Sequence, residues 1–349
     1  MPNFDIDPKF VTKSKDLDIV TKVDGSLRVF AKGRDEPTDS FRVVELSNAS
    51  GSWTYVDLSD KLGVEVAQNS PITARMVGDD PRVYFGRSPD AHIVEFEFNG
   101  TDWSVGQFPT GSAPPVNKAL SMPGNVMLYV DQHRQAVEYA WISSGEQWIR
   151  QTLVGEPWDQ MGEQLTAAPP GHALTNMHHR LFVNNVAVHH GGSQVTLTNT
   201  TTLAGFASED MPLFQPNQTD IATIEVQDPS RGQRFVQRTF AGGAGADPSK
   251  SSLAALRVGD TRYAYLRVDA TKLREVAVSA RGGFSSTDIM LGQAMAMGTV
   301  LATATDPSQN RHVLHISDNG SLLHTWHESA TGVWRDEVAV AAEGGQTIV

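Results

Sequence analysis

The sequence contains no cysteine among its 349 residues, and it has no long apolar run. Without thiols there is no disulfide framework, no cysteine nucleophile and no thiolate metal site. No apolar stretch approaches the ~20 residues of a membrane-spanning helix, and residues 1–8 lack the basic and then apolar pattern of a secretory signal. We therefore expect a cytoplasmic protein that does not bind membranes.

The familiar catalytic motifs are missing as well. The sequence has no Gly-x-Ser-x-Gly elbow, no phosphate-binding loop, no His-Glu-x-x-His pair and no Rossmann glycine pattern. Two adjacent histidine pairs stand out, at 178–179 and 189–190, but neighbouring strand residues point to opposite faces and rarely ligate one metal. We expect no metal and no cofactor. The net charge of -12 also argues against a nucleic-acid partner.

What the sequence does contain is a recurring unit of two short strands, a turn and a closing aromatic residue. Residues 81–103 show it best, because 82–85 and 93–98 alternate with the period of two that a half-buried strand needs, and Trp103 ends the unit. Related units occupy 27–53, 126–148, 262–284 and 312–334, with a weaker copy at 180–198. Repeats of about 40 to 50 residues with about four strands each are typical of a β-propeller.

The repeats predict an all-β fold, a six-bladed β-propeller in a single domain covering 1–349. No long segment has a helical period of 3.6. The expected blades are 16–60, 70–111, 116–160, 166–249, 250–290 and 294–342. Because the fourth interval is much longer than the others, a seven-bladed propeller is the alternative.

An arginine, a glutamate and aromatic residues recur at fixed places in these units. Arg82 and Glu95 lie on successive predicted strands and can point to the same side, while the next unit supplies Trp141 and Trp148. Guanidinium and carboxylate groups give directional hydrogen bonds, and indoles give an apolar wall. This pattern predicts a small-molecule pocket between neighbouring units. The alternative is blade packing with a cross-strand ion pair.

At these residues the sequence resembles the fungal fucose-specific lectins, six-bladed propellers whose sugar pockets take Arg and Glu from one blade and an aromatic pair from the next. The matching sets are Arg82 and Glu95 with Trp141 and Trp148, Arg262 and Glu275 with His327 and Trp334, and Arg28 and Glu45 with Phe98 and Trp103. Elsewhere the sequence departs from the family pattern. Val126 stands where Arg is expected, and His312 and His324 replace Arg and Glu.

The sequence is also similar to a branch of this fold, the fungal hetero-Diels-Alderases that join a tropolone o-quinone methide to a humulene-type sesquiterpene. A multivalent lectin is expected to keep regular pockets because its avidity comes from repeating a weak site. The irregular pockets therefore favour a cofactor-independent pericyclase of natural-product biosynthesis. A fucose-binding lectin is the alternative, and a propeller hydrolase or scaffold, for which no paired-carboxylate signature is found, is the third class.

This resemblance implies a role for each candidate residue. We expect three tryptophans to stack on the flat diene: Trp141, Trp148 and Trp334. Hydrogen bonding to its oxygens falls to Arg82, Arg262 or His327, and Glu95 or Glu275 assists loss of water. Further substrate-binding residues are Phe98, Trp103 and Tyr84. The same side chains would serve an aromatic or terpenoid substrate or a fucosylated glycan, so the expected partner is a small molecule, and a homodimer is allowed.

Overall fold

The alternating segments form antiparallel β-sheets in the computed structural model of the chain. The structure describes residues 4–5, 17–35, 40–49, 51–68, 70–121, 126–133, 136–142, 147–152, 165–168, 180–183, 187–190, 193–196, 202–204, 213–215, 221–227, 234–240, 253–279, 283–296 and 301–340. Within these ranges every element except one short helix is a β-strand. The helix has five residues, and no helix in the described ranges is long and apolar enough to span a membrane.

The first half of the chain forms three sheets. Sheet 1 consists of β1 (Phe4–Asp5), β2 (Leu17–Thr21), β3 (Leu27–Asp35), β4 (Ser40–Ser47) and β5 (Thr54–Asp57), and it is followed by helix α1 (Leu58–Leu62). Sheet 2 consists of β6 (Ile72–Val77), β7 (Asp80–Gly86), β8 (Ile93–Phe98) and β9 (Trp103–Val105). Sheet 3 consists of β10 (Val116–Ser121), β11 (Val126–Asp131), β12 (Ala136–Ile142) and β13 (Gln147–Thr152).

The second half forms two hairpins and three further sheets. The hairpins pair β14 (Leu165–Ala168) with β15 (Arg180–Val183) and β16 (Ala187–His190) with β17 (Ser193–Thr196). Sheet 4 consists of β18 (Thr202–Ala204), β19 (Leu213–Gln215), β20 (Ile221–Gln227) and β21 (Arg234–Phe240). Sheet 5 consists of β22 (Leu253–Val258), β23 (Thr261–Asp269), β24 (Lys272–Ser279) and β25 (Phe284–Met290). Sheet 6 consists of β26 (Ala302–Thr305), β27 (Arg311–Ile316), β28 (Leu322–Glu328) and β29 (Val333–Val340).

The described ranges thus contain six sheets of four or five strands, and the two hairpins fall with sheet 4 inside the long interval 166–249. The chain forms two compact units: unit 1 comprises Met1–Met122, Val130–Gln132 and Leu291–Val349, and unit 2 comprises Pro123–Tyr129 and His133–Met290. Sheets 1, 2 and 6 belong to unit 1. Sheets 4 and 5 and the hairpins belong to unit 2, together with most of sheet 3. The predicted blade boundaries and the single domain stay predictions.

Within unit 1, sheet 1 is buried on both faces. Val29 joins an apolar cluster with Leu314 of sheet 6, and the next residue, Phe30, joins a second cluster with Phe96 of sheet 2. Neighbouring strand residues point to opposite faces, so each face of sheet 1 packs on a different sheet. This stacking explains why a single repeat cannot fold alone, because one sheet has no other means of covering both apolar faces.

Helix α1 follows sheet 1 and is closed at both ends by local interactions. The carboxylate of Asp57 accepts a hydrogen bond from the Asp60 N–H at 2.8 Å, which caps the N-terminus. Gly63 ends the helix with a φ of 66°, a left-handed conformation that glycine adopts without a steric penalty. The sequence pattern missed this helix because five residues are too few to show a helical period.

Candidate ligand-binding sites

The most complete candidate pocket within one unit begins with Arg28 and Glu45. The register between β3 and β4 places Phe30 opposite Glu45, and Arg28 lies two residues earlier on the same face. Arg28 Nη1 forms an ion pair with Glu45 Oε1, and the Glu45 side chain is buried. The strand geometry therefore brings the predicted cation and carboxylate together despite the long connection between their strands.

Sheet 2 supplies the aromatic side of this pocket. Trp103 Nε1 donates a hydrogen bond to Glu45 Oε2 at 2.7 Å, and the Arg28 guanidinium lies 5.4 Å from the centre of the Phe98 ring. Both oxygens of the Glu45 carboxylate are thus held, one by Arg28 and the other by the indole. Arg28 Nε is buried and has no hydrogen-bond partner among the described residues. We call Arg28, Glu45, Phe98 and Trp103 the Arg28 pocket.

Arg82 and Glu95 form an equivalent half-site on sheet 2. Arg82 Nη1 donates to Glu95 Oε1 at 2.8 Å, and the Tyr84 hydroxyl, directly across the strands from Glu95, donates to the same oxygen at 2.7 Å. Glu95 Oε2 is buried without a hydrogen-bond partner in the described part of the chain. Burial, with the negative charge of Glu95, raises the pKa of Tyr84 well above its ordinary value, so the phenol remains a donor.

A glycine makes room for this carboxylate. The N–H of Gly106 donates to the Glu95 carbonyl at 2.7 Å, and a Cβ at position 106 would lie 2.5 Å from Glu95 Cγ. Such a distance is far below van der Waals contact, so only glycine fits beside Glu95 in this conformation. The sequence pattern did not single out this position.

The predicted aromatic pairs share one geometry. In each, two rings directly opposite on neighbouring strands cross at a steep angle, which is a favourable aromatic arrangement. The pairs are Phe98 with Trp103 (5.5 Å, 58°), Trp141 with Trp148 (5.5 Å, 62°) and His327 with Trp334 (5.2 Å, 64°). The two tryptophans of sheet 3 belong to unit 2, whereas Arg82 and Glu95 belong to unit 1. Their meeting in one cleft stays a prediction.

In sheet 5 the strand register differs from the residue match that the sequence comparison suggested. Tyr265 lies opposite Glu275 and donates its hydroxyl to Glu275 Oε2 at 2.7 Å. The position equivalent to Arg82 is therefore Tyr263, two residues before Tyr265. Arg262 is the adjacent residue, and its side chain starts on the opposite face of the sheet. Arg262 thus does not stand beside Glu275 as the sequence comparison had placed it.

Sheet 6 and Trp53 of sheet 1 form a second cluster within unit 1. His312 and His324 occupy the positions of Arg28 and Glu45, since Leu314 lies opposite His324. His312 Nδ1 lies 3.0 Å from His324 Nε2, and His324 Nδ1 lies 2.9 Å from Glu337 Oε1. The far end of the chain of contacts is Asp306, whose Oδ2 lies 3.5 Å from His312 Nε2. We call Asp306, His312, His324 and Glu337 the histidine relay.

The electrostatics of the relay follow from burial. Burial, with the neighbouring charge of His324, lowers the pKa of His312 to about 4, although Asp306 acts in the opposite direction. The hydrogen bond from His324 lowers the pKa of Glu337, and Trp53 Nε1 donates to the same oxygen at 2.9 Å. The sequence showed the two histidines only as departures from the lectin pattern. Asp306 and Glu337 carry no local signal for this role.

The expectation that the protein binds no metal stays a prediction. In the described ranges no group of three or more His, Asp or Glu side chains is arranged to hold a metal ion. Of the two adjacent histidine pairs, His189 and His190 end strand β16, and the pair at 178–179 lies outside the described residues.

Comparison with known proteins identifies the class of fold. No family model and no curated protein matches the sequence. Among solved structures the chain is similar to the Aleuria aurantia lectin, described as a six-bladed β-propeller with a novel fucose recognition mode, at 18% identity and a TM-score of 0.55, covering 92% of this chain and 93% of that one. These values establish the fold, so the predicted all-β six-bladed β-propeller is confirmed.

Two further solved structures have the same likeness. AofleA from Arthrobotrys oligospora is 13% identical with a TM-score of 0.56, covering 97% of this chain and 87% of that one. BP39L from Burkholderia pseudomallei is 15% identical with a TM-score of 0.62, covering 97% of this chain and all, 100%, of that one. Two of these three neighbours, from Aleuria aurantia and Burkholderia pseudomallei, are described as lectins.

Proposed function

We propose that the protein binds a small sugar of the fucose type in the Arg28 pocket. The observation that carries this proposal is the Glu45 carboxylate, held by Arg28 on one oxygen and by Trp103 Nε1 on the other. Fixed charged groups of this kind give strong, directional hydrogen bonds to sugar hydroxyls. Phe98 lies under the guanidinium and offers an apolar face to a methyl group or ring carbons.

Two features support a ligand rather than packing alone. Arg28 Nε is buried with no partner in the described ranges, and buried polar atoms ordinarily have one. In addition, one neighbour in fold, the Aleuria lectin, was solved with Fucα1-6GlcNAc, and another, SapL1, with α-methyl fucoside. A fucoside hydroxyl beside Arg28 would supply the missing acceptor.

Calorimetric titration with α-methyl fucoside tests this proposal. We expect saturable binding that Arg28→Met weakens at least about tenfold, since a hydrogen bond to a charged group contributes roughly 1.5–3 kcal/mol. Arg335→Met is the matched control, because Arg335 is exposed and pairs with Glu328 outside the pocket. Absence of saturable binding by the parent, or equal weakening by both variants, would refute the assignment.

A pericyclase is the second candidate, favoured by the irregularity of the pockets. Tyr263 stands at one arginine position, and His312 with His324 replaces a whole Arg–Glu pair. A cycloaddition needs two apolar partners in reacting geometry and a donor to the heterodiene oxygen, which an arginine beside aromatic rings can provide. Incubation with a tropolone quinone-methide precursor and humulenol, followed by chromatography of the products, tests this function. A rate equal to the uncatalysed control excludes it.

A further inference from the structure

Strand β25 is the outer strand of sheet 5. In the part of the chain that the structure describes, it pairs with β24 alone, along Phe284–Met290. Six of its seven residues are exposed, and the exception is Ile289. The backbone N–H and C=O groups along the outer edge of such a strand form a template on which another strand can pair.

Three other outer strands are protected against such pairing. Proteins shorten an edge strand or place charged side chains along it. β5 and β9 have only four and three residues, and β29 presents three consecutive exposed charged residues, 335–337. β25 has seven residues, no proline and one charged residue, Asp288, whose carboxylate is already paired with Arg274 at 2.6 Å and Lys272 at 3.6 Å on β24. The outer edge of β25 therefore lacks these protections.

The register of a symmetric pairing follows from the length of β25. Two antiparallel copies of a seven-residue strand that pair along their whole length have a twofold axis at the central residue, Thr287. Phe284 then lies opposite Met290 of the second copy, and Ser286 lies opposite Asp288. Thr287 lies opposite the same residue of the second copy.

These opposed side chains suit one another. Phe284 is 39% exposed and Met290 is 64% exposed, and both leave the strand on the same face. A thioether packs favourably against an aromatic ring, and a serine hydroxyl can donate a hydrogen bond to a carboxylate. Twofold symmetry makes each contact occur twice, so the pairing covers both exposed apolar residues of each copy. A second copy of the chain therefore fits this edge.

We propose that β25 is an interaction surface through which two copies of the chain form a symmetric dimer, with their β25 strands paired antiparallel about Thr287. A contact between two seven-residue strands is smaller than the roughly 1,200 Å² at the lower end of stable interfaces, so the dimer dissociates on dilution. β25 belongs to unit 2 and shares no residue with the Arg28 pocket, so dimerisation does not depend on sugar binding.

Variants with a single cysteine test the register, because the chain itself has no cysteine. Opposed residues of an antiparallel pair have Cα atoms about 4.5–5.5 Å apart, which is within the reach of a disulfide. Thr287→Cys should therefore give a covalent dimer on mild oxidation, seen as a doubled mass on a non-reducing gel. Ser285→Cys is the matched control, because it is also exposed on the same face but lies roughly 14 Å from its copy in this register.

Analytical ultracentrifugation over a range of protein concentrations measures the dimer directly. The parent should shift from monomer to dimer as the concentration rises. Met290→Glu should weaken dimerisation about tenfold, because it removes two symmetric apolar contacts. The new carboxylate lies opposite Lys272 on β24, so the monomer should fold, and circular dichroism checks this. Ile149→Glu is the matched control, since it changes another exposed apolar residue of an outer strand in unit 2 and should leave the dissociation constant unchanged.

Four results would overturn the inference. A parent that stays monomeric at every concentration means that this edge does not bind a second copy. Equal oxidation of Thr287→Cys and Ser285→Cys means that the copies meet by random collision. Equal weakening by Met290→Glu and Ile149→Glu means that association depends on net charge. Species larger than a dimer mean that β25 pairs with a different edge of the next copy.

Discussion

The buried histidine His315 should make the protein lose stability in mildly acidic solution. Its pKa is about 3 in the folded chain, whereas an unfolded histidine titrates near its ordinary value of about 6.5. The unfolded chain therefore binds this proton more tightly. The stabilisation is complete above about pH 6.5 and is lost as the pH falls toward the folded value.

The magnitude follows from the difference in proton affinity. One pH unit below the unfolded pKa costs about 1.4 kcal/mol per fully titrating group, so His315 alone should lower the free energy of unfolding by roughly 2 kcal/mol between pH 7.5 and pH 5. His312, with a folded pKa of about 4, adds a similar loss over the same interval. Together the two amount to a large part of the 5–15 kcal/mol typical of a folded protein.

Urea unfolding followed by tryptophan fluorescence at pH 7.5, 6.5, 5.5 and 5.0, roughly spanning the unfolded pKa, measures this loss. His315→Gln keeps a hydrogen-bonding side chain but cannot be protonated, so its stability curve should be flatter by about 2 kcal/mol over that range. His133→Gln, at an exposed position, controls for the substitution itself. If the curves of His315→Gln and the parent run parallel, His315 does not titrate differently in the two states, and the reasoning fails.

Two substitutions near the carboxylates should also have measurable effects. Gly106→Ala forces a Cβ against Glu95 and should lower the free energy of unfolding by about 1–3 kcal/mol, whereas Gly111→Ala, which meets nothing within 4 Å, should not; thermal melts compare the two. Trp103→Phe keeps a ring but leaves Glu45 Oε2 without its donor, which should cost about 1–3 kcal/mol in urea unfolding. A Trp103→Phe variant as stable as the parent would show that the hydrogen bond contributes nothing net.

The sequence was sufficient for the sheets and for the aromatic pairs. Strand alternation and turn residues repeat along the chain, and directly opposed pairs such as Trp141 with Trp148 follow from the same spacing in each unit. Arg28 and Glu45 could also be matched to the lectin pattern, because both residues are present although the connection between their strands is longer. These features depend on the local sequence and on the period of the repeats, and both can be read from a single sequence.

The site residues that the sequence patterns misplaced or missed depend on strand register and on contacts between distant parts of the chain. In sheet 2 the tyrosine opposite the glutamate comes two residues after Arg82, whereas in sheet 5 it comes three residues after Arg262. That one-residue difference reverses the face, and a four-residue run of alternating side chains does not reveal it. The hydrogen bond between Trp53 and Glu337 joins residues 284 positions apart, so no local pattern could have indicated it.

The histidine relay has fewer hydrogens than close contacts. Between Asp306, His312, His324 and Glu337 there are three close contacts, and each needs one hydrogen to be favourable. Two neutral imidazoles bring only two N–H groups, so one contact lacks a hydrogen until a third proton enters. The Arg28–Glu45 pair at the equivalent place has no such deficit, because a guanidinium does not titrate. With the pKa of His312 lowered to about 4, the third proton is absent near neutral pH, so the contact between His312 Nε2 and Asp306 Oδ2 lacks its hydrogen there.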